Sequence, residues 1–101
     1  MYKVVYLPTA RQQLEDAVMY IAVDLCAPDA TMNLADEVDE AVQKLKEMPY
    51  RFPIYHTLYA MKHEIRFFPV KNHNVYYVIN EDTKTVEIWR VLHRLQKQER
   101  R

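Results

Sequence analysis

Residues 63–94, HEIRFFPVKNHNVYYVINEDTKTVEIWRVLHR, constrain more than any other stretch what this chain can fold into. Three segments in it crowd β-branched and aromatic residues: 64–70 with Ile65, Phe67, Phe68 and Val70, then 75–79 (VYYVI), then 86–92 (VEIWRVL). Such side chains suit a pleated, half-buried surface, so each segment is expected to be a strand. The connections, Lys71-Asn72-His73-Asn74 and the run from Asn80 to Thr85, are short and polar, which makes neighbouring strands antiparallel hairpin partners. The chain contains no glycine. Turn positions with φ > 0 are therefore expected to fall to Asn or Asp, which tolerate that region best and occur in both turns.

The length of 101 residues suits one domain, 1–101, with a single core, and a half-hydrophobic composition marks a globular chain. No run is long enough to span a bilayer, and MYKVVYLP lacks the apolar stretch of a signal peptide, so a cytoplasmic location is expected. The single cysteine, Cys26, excludes an internal disulfide and reads as an ordinary small side chain. A net charge of zero conceals a division. Residues 1–50 hold nine acids against four Lys/Arg, and residues 51–101 hold ten Lys/Arg against five acids, so the halves carry −5 and +5. Two readings stay open: a polyanionic partner for the basic half, or a dipolar fold whose halves attract each other.

Ahead of the sheet stretch, residues 3–7 (KVVYL) read as a short strand stopped by Pro8. Thr9 with Gln12 resembles a capping box opening a helix, and Ala10, Leu14, Val18, Ile21 and Leu25 form a stripe of helical period. Pro28 suits the first turn of a second helix, whose stripe is Leu34, Val38, Ala41 and Leu45 and which Pro49 closes. The two helices, within about residues 9–48, are expected to form an antiparallel hairpin. Its joint stripe would lie on one face of a mostly antiparallel sheet whose hairpins run over about 63–94. The fold class is thus α+β in the order β-α-α-β-β-β. Residues between Pro49 and Lys62 read as an irregular loop packed by its own aromatics, including Tyr50, Tyr55 and Tyr59.

The four histidines, His56, His63, His73 and His93, fall on separate elements without metal-ligand spacing, so no metal site is expected. Without glycine there is no phosphate-cradling loop, and no cofactor is expected. Strand alternation points to a surface instead. Val75, Tyr77 and Ile79 share one face with, by expectation, Ile65 and Phe67 under the helices, which leaves Arg66, Asn74, Tyr76 and Arg90 on an open concave face. The last strand is less easily phased, because Val86/Ile88 and Trp89/Val91 are both apolar sets; a bulge or burial on both faces would account for it. Arg66, Lys71, His73, Tyr76, Arg90 and Arg94 form the candidate surface for a target or nucleic acid, with His93 beside them. Salt bridges to Glu64 and Glu87 are the alternative use of Arg66 and Arg90.

The order and spacing of PTARQQLEDAVMYI, LKEMPYRFP and IRFFPVKNHNVYYVI…VEIWRVLHR resemble the RelE/ParE toxin superfamily over nearly the whole chain. The resemblance implies a RelE/ParE-like fold and the toxin half of a type II toxin–antitoxin, plasmid-stabilisation module, with a cognate antitoxin as partner and no membrane. ParE-like members poison DNA gyrase; RelE-like members are ribosome-dependent mRNA endoribonucleases, with ribosome and mRNA as partners. The nucleases resemble one another in an arginine at the head of the strand that here begins Asn74-Val75-Tyr76-Tyr77, and often in a C-terminal tyrosine. Here Asn74 holds that position and no tyrosine follows Tyr77. As a nuclease, the chain would have Arg66, His93 (or His73 in its place) and Arg94 as its catalytic candidates. The helical hairpin and the VLHR ending are closer to the ParE branch.

Overall fold

The structure is a computed structural model that describes residues 1–24, 28–55 and 63–94, with the backbone alone over residues 28–32. Expectations attached to Leu25, Cys26, His56, Tyr59 and the final LQKQERR lie outside the described residues. Strand β1 (Lys3–Tyr6) leads into helix α1 (Pro8–Met19), which a π-helical turn, Tyr20–Asp24, continues. Helix α2 (Pro28–Lys44) follows, then β2 (Ile65–Val70), β3 (His73–Asn80) and β4 (Thr85–His93). The sheet order is β1-β4-β3-β2: the two hairpins are antiparallel, and β1 lies parallel to the first half of β4. This is the expected α+β architecture.

Helix α1 starts earlier than the Thr9–Gln12 pattern implies. Leu7 is its extended N-cap, no side chain caps it, and Pro8 holds the first helical position. Proline's fixed φ and missing N–H suit that position, so the helix begins there and Thr9 falls inside it. The stripes behave as the period requires. Ala10 is buried, and Leu14, Val18 and Ile21 pack on the core. Leu34, Val38 and Leu45 are sealed from solvent together with Val42, which the four-and-three spacing omits. Across the interface the sheet contributes Phe68, Val70, Val75, Tyr77, Val86, Ile88 and Val91. The Tyr77 hydroxyl donates to the Pro49 carbonyl at 2.7 Å inside this core, and burial pushes its pKa up to about 12.

Two details of the sheet differ from expectation. The first hairpin turn is the two residues Lys71-Asn72, since Val70 opposes His73, and the positive-φ residues are Lys71 (φ 55°) and Lys84 (φ 53°), not Asn or Asp. The faces of β2 are also the reverse of those expected. Arg66 opposes Tyr77 and Phe68 opposes Val75, so these two residues of β2 face the helices. Ile65 and Phe67 join Tyr76, Val78, Leu92, Tyr55 and Trp89 in a second apolar cluster on the far side. Strands that are apolar at nearly every position bury both faces, and alternation then gives no phase.

One polar node ties three segments together. The hydroxyls of Tyr2 and Tyr50 both donate to Glu81 Oε2, and Lys84 Nζ donates to Oε1 at 2.8 Å. Hydrogen bonds from Lys84, Tyr50 and Tyr2, in that order, lower the Glu81 pKa from 4.5 to about 2. Between those values an unfolded chain binds the proton and the folded one does not, so this contribution to stability is complete above pH 4.5 and lost as pH falls through about 2. Glu81→Gln is expected to flatten that part of an acid-unfolding curve followed by circular dichroism. An unchanged curve would show that the node does not couple to folding.

Candidate interaction surface

The register distributes the candidate residues among three places. Arg66 is not on an open face. Its Nη1 donates to the Phe52 carbonyl at 2.7 Å, its guanidinium lies 5.0 Å from the Tyr50 ring centre, and Glu64 stands 3.8 Å away. It pins the segment after α2 to the sheet. Tyr76 and Arg90 do face away from the helices, opposite each other, yet Tyr76 is buried. The Tyr76 ring stacks on Phe67 at 5.9 Å and meets the edge of Tyr55 at 5.1 Å, while Asn74 reaches its hydroxyl at 3.5 Å. Arg90 Nη1 donates to the Trp89 carbonyl. The expected open cationic face is therefore an apolar cluster with Arg90 beside it, because both sides of these strands are hydrophobic.

The third place is the end of the sheet, where the structure brings Lys71, His73, His93 and Arg94 together. Lys71 Nζ pairs with Glu37 of α2 at 3.1 Å, an exposed contact of small energetic weight. The Arg94 N–H donates to the Asn72 carbonyl, which places the exposed Arg94 next to the first hairpin turn. His73 and His93 are directly opposed across β3 and β4, with ring centroids 5.2 Å apart and planes at 79°. Burial lowers the His73 pKa from 6.5, and the charge on His93 adds to the shift.

Beside this end lies a groove that sequence reading missed. It has a volume of about 550 Å³ between α1 and the C-terminal end of β4, lined by Gln13, Asp16, Ala17, Tyr20, His73, Val91, Leu92 and His93. It exists because β1 stops short: β1 pairs only with Thr85–Ile88, and beyond that point Gln13 Oε1 accepts the Val91 N–H at 2.8 Å in place of a strand. Next to the groove, Met19, Tyr20 and Val23 are 59%, 55% and 60% exposed, an apolar set on the helix end. The sequence signal was present in Met19, Tyr20 and Val23, apolar residues outside the Leu14/Val18/Ile21 stripe. A smaller groove of about 370 Å³ between α2 and β2 is lined by charges of both signs, including Glu37, Glu40, Lys44, Arg51 and Lys71. Among the described residues no three His, Cys, Asp or Glu side chains converge, and no helix is long and apolar enough to cross a membrane.

Residues 4–98 match the family model described as ParE toxin of type II toxin–antitoxin system, parDE. No curated protein matches the chain significantly in sequence. Among solved structures, one from the chromosomal ParDE system of P. aeruginosa aligns with a TM-score of 0.72 at 14% identity, over 92% of this chain and 96% of that one. A chain of a RelBE toxin–antitoxin complex from Mycobacterium tuberculosis aligns at 0.62 with 24% identity, covering 91% of this chain and 96% of that one. One from the archaeal RelE–RelB complex of Pyrococcus horikoshii aligns at 0.62 with 15% identity, covering 95% and 98%. At these identities the structural matches show a shared fold.

Proposed function

Because this chain belongs to the ParE toxin family of type II toxin–antitoxin systems, we propose that it arrests growth by binding DNA gyrase in the cytoplasm, as the poison of a plasmid-stabilisation module. The observation that carries this reading is the separation of the residues a nuclease would need. Attack of a 2′-hydroxyl on a phosphate requires an acid/base pair and a cation on the same few ångströms of substrate. His93 is in register with His73 and Val70, whereas Arg66 sits four residues back along β2, roughly 13 Å of strand away. Arg66 is also committed to Phe52 and Tyr50. His93 and Arg94 stay beside His73 and Lys71 at the sheet end, but without Arg66, the further cation that the nuclease reading places with them.

The same surface suits a protein partner. A largely apolar groove, the exposed Met19, Tyr20 and Val23, and the exposed Arg94 next to groove-lining His93 fit an antitoxin segment that combines apolar anchors with acidic residues. Binding of such a segment should weaken with added salt, because exposed charges at the rim are screened. Calorimetric affinity that stays flat from low to high salt would remove Arg94 from recognition.

The test of the main reading uses the purified chain with gyrase and plasmid, and transcript mapping after induced expression. The expected result is cleaved or linearised plasmid with cellular transcripts intact. His93→Gln should keep this activity, since no proton has to move. Cuts at defined codon positions within translated frames, lost in His93→Gln by roughly 10²–10⁴-fold as general acid–base catalysis predicts, would overturn it in favour of the ribosome-dependent nuclease.

A further inference from the structure

The sequence spacing of the histidines argues against a metal site, yet the hairpin register places two of them face to face. His73 and His93 are direct partners across β3 and β4, and such pairs hold their Cβ atoms within about 5.5 Å. Their ring centroids are 5.2 Å apart. Two imidazoles sharing one tetrahedral ion, with each nitrogen at roughly 2.0–2.1 Å, have centroids about 5 Å apart. The present 79° between the ring planes is no obstacle. Rotation about the histidine χ2 bond is soft, and it turns the ring nitrogens while leaving the centroid nearly in place.

Two further observations point the same way. His73 Nδ1 is buried and has no hydrogen-bond partner among the described residues, the kind of orphan that an ion or water accounts for. Burial also favours the neutral imidazole, which is the form that ligates. The groove beside the pair leaves room for the waters that would fill the other coordination positions. Since no third His, Cys, Asp or Glu joins the pair among the described residues, the protein contributes two ligands and the remaining positions stay open. Imidazole donors select borderline divalent ions such as zinc, nickel and copper over magnesium or calcium.

We propose that His73 and His93 form a two-histidine anchor for a zinc-class divalent ion at the end of the β3–β4 hairpin. The ion would clip the two strands where β1 no longer supports β4, and its open positions would face the groove. The site stands independently of the gyrase reading, since neither result of the plasmid experiment bears on it.

The experiment is calorimetric titration of the untagged full-length chain with zinc chloride, alongside thermal unfolding with and without the ion. One equivalent should bind and raise the melting temperature, with the increase abolished by EDTA and absent with magnesium. Binding should weaken in acid, when protons compete for the imidazoles. His73→Gln and His93→Gln should each lose that equivalent, while His63→Gln, whose histidine lies against Trp89 at 5.7 Å, should keep it. If either variant fails to fold, zinc-induced shifts of the His73 and His93 ring protons in the NMR spectrum of the unaltered chain decide the matter. Zinc binding retained in both variants, or ring protons that do not respond, would overturn the proposal.

Discussion

Leu45→Ala is expected to destabilise the chain by about 2–5 kcal/mol, the cost of emptying a buried leucine site in a core that closes only partly around the cavity. Leu45 is fully sealed from solvent, and it lies just beyond α2 with its N–H donated to the Val42 carbonyl. It belongs to the cluster that holds both helices on the sheet. Domains of this size are stable by about 5–15 kcal/mol in total, and each kcal/mol moves the melting temperature by roughly 4–8 °C. Met48→Ala is the matched control, because Met48 is 61% exposed. Its effect should stay within about 0.5 kcal/mol. Equal melting temperatures for the two variants would mean that Leu45 contributes nothing to the core.

That leucine was legible because a helix buries one stripe, and the period of Leu34, Val38, Ala41 and Leu45 reports it directly. Val42 escaped the same reading because the apolar face is wider than a four-and-three spacing. The sheet was legible as strands but not as faces. Ile65/Phe67 and Phe68/Val70 are equally apolar, so only the register, fixed by the two-residue turn at Lys71-Asn72, decides which pair meets the helices. The candidate site depended on that choice, which is why Arg66 moved from a supposed open surface to a contact with Phe52. Turn chemistry misled for a similar reason. Positive φ was expected at an Asn or Asp of the turn, but the Asn80 side chain accepts the N–H groups of Asp82 and Thr83, and the left-handed position falls at Lys84. The His73–His93 pair was invisible because its residues are brought together by pairing, not by spacing.

Strand β4 carries one residue more than β3 can match, and this gives the prediction with the largest contrast. Tyr77 opposes Ile88 and Tyr76 opposes Arg90, which leaves Trp89 as the bulged residue. Deleting Trp89 would leave Ile88, Arg90 and Val91 in simple alternation, with Ile88 and Val91 still facing the helices. Such a deletion loses the packing of Trp89 on the second apolar cluster and its hydrogen bond to Glu87 at 3.1 Å. The cost should be at most about 3–5 kcal/mol, the range for truncating a large aromatic. Deleting Val78 removes a residue from a strand that is paired on both sides and has no bulge of its own to absorb the loss. Every side chain on one side of the gap must then change face, which would swing either Val75 and Tyr77 or Ile79 out of the helix-side core. The lost burial, together with the backbone groups left unpaired in a central strand, is of the same order as the whole stability expected of a domain of this size, about 5–15 kcal/mol. Thermal unfolding followed by circular dichroism should therefore show a cooperative transition for the Trp89 deletion and none for the Val78 deletion. Loss of the transition in both would show that the Trp89 bulge is required for the hairpin, and that the register around Tyr76 and Arg90 cannot exist without it.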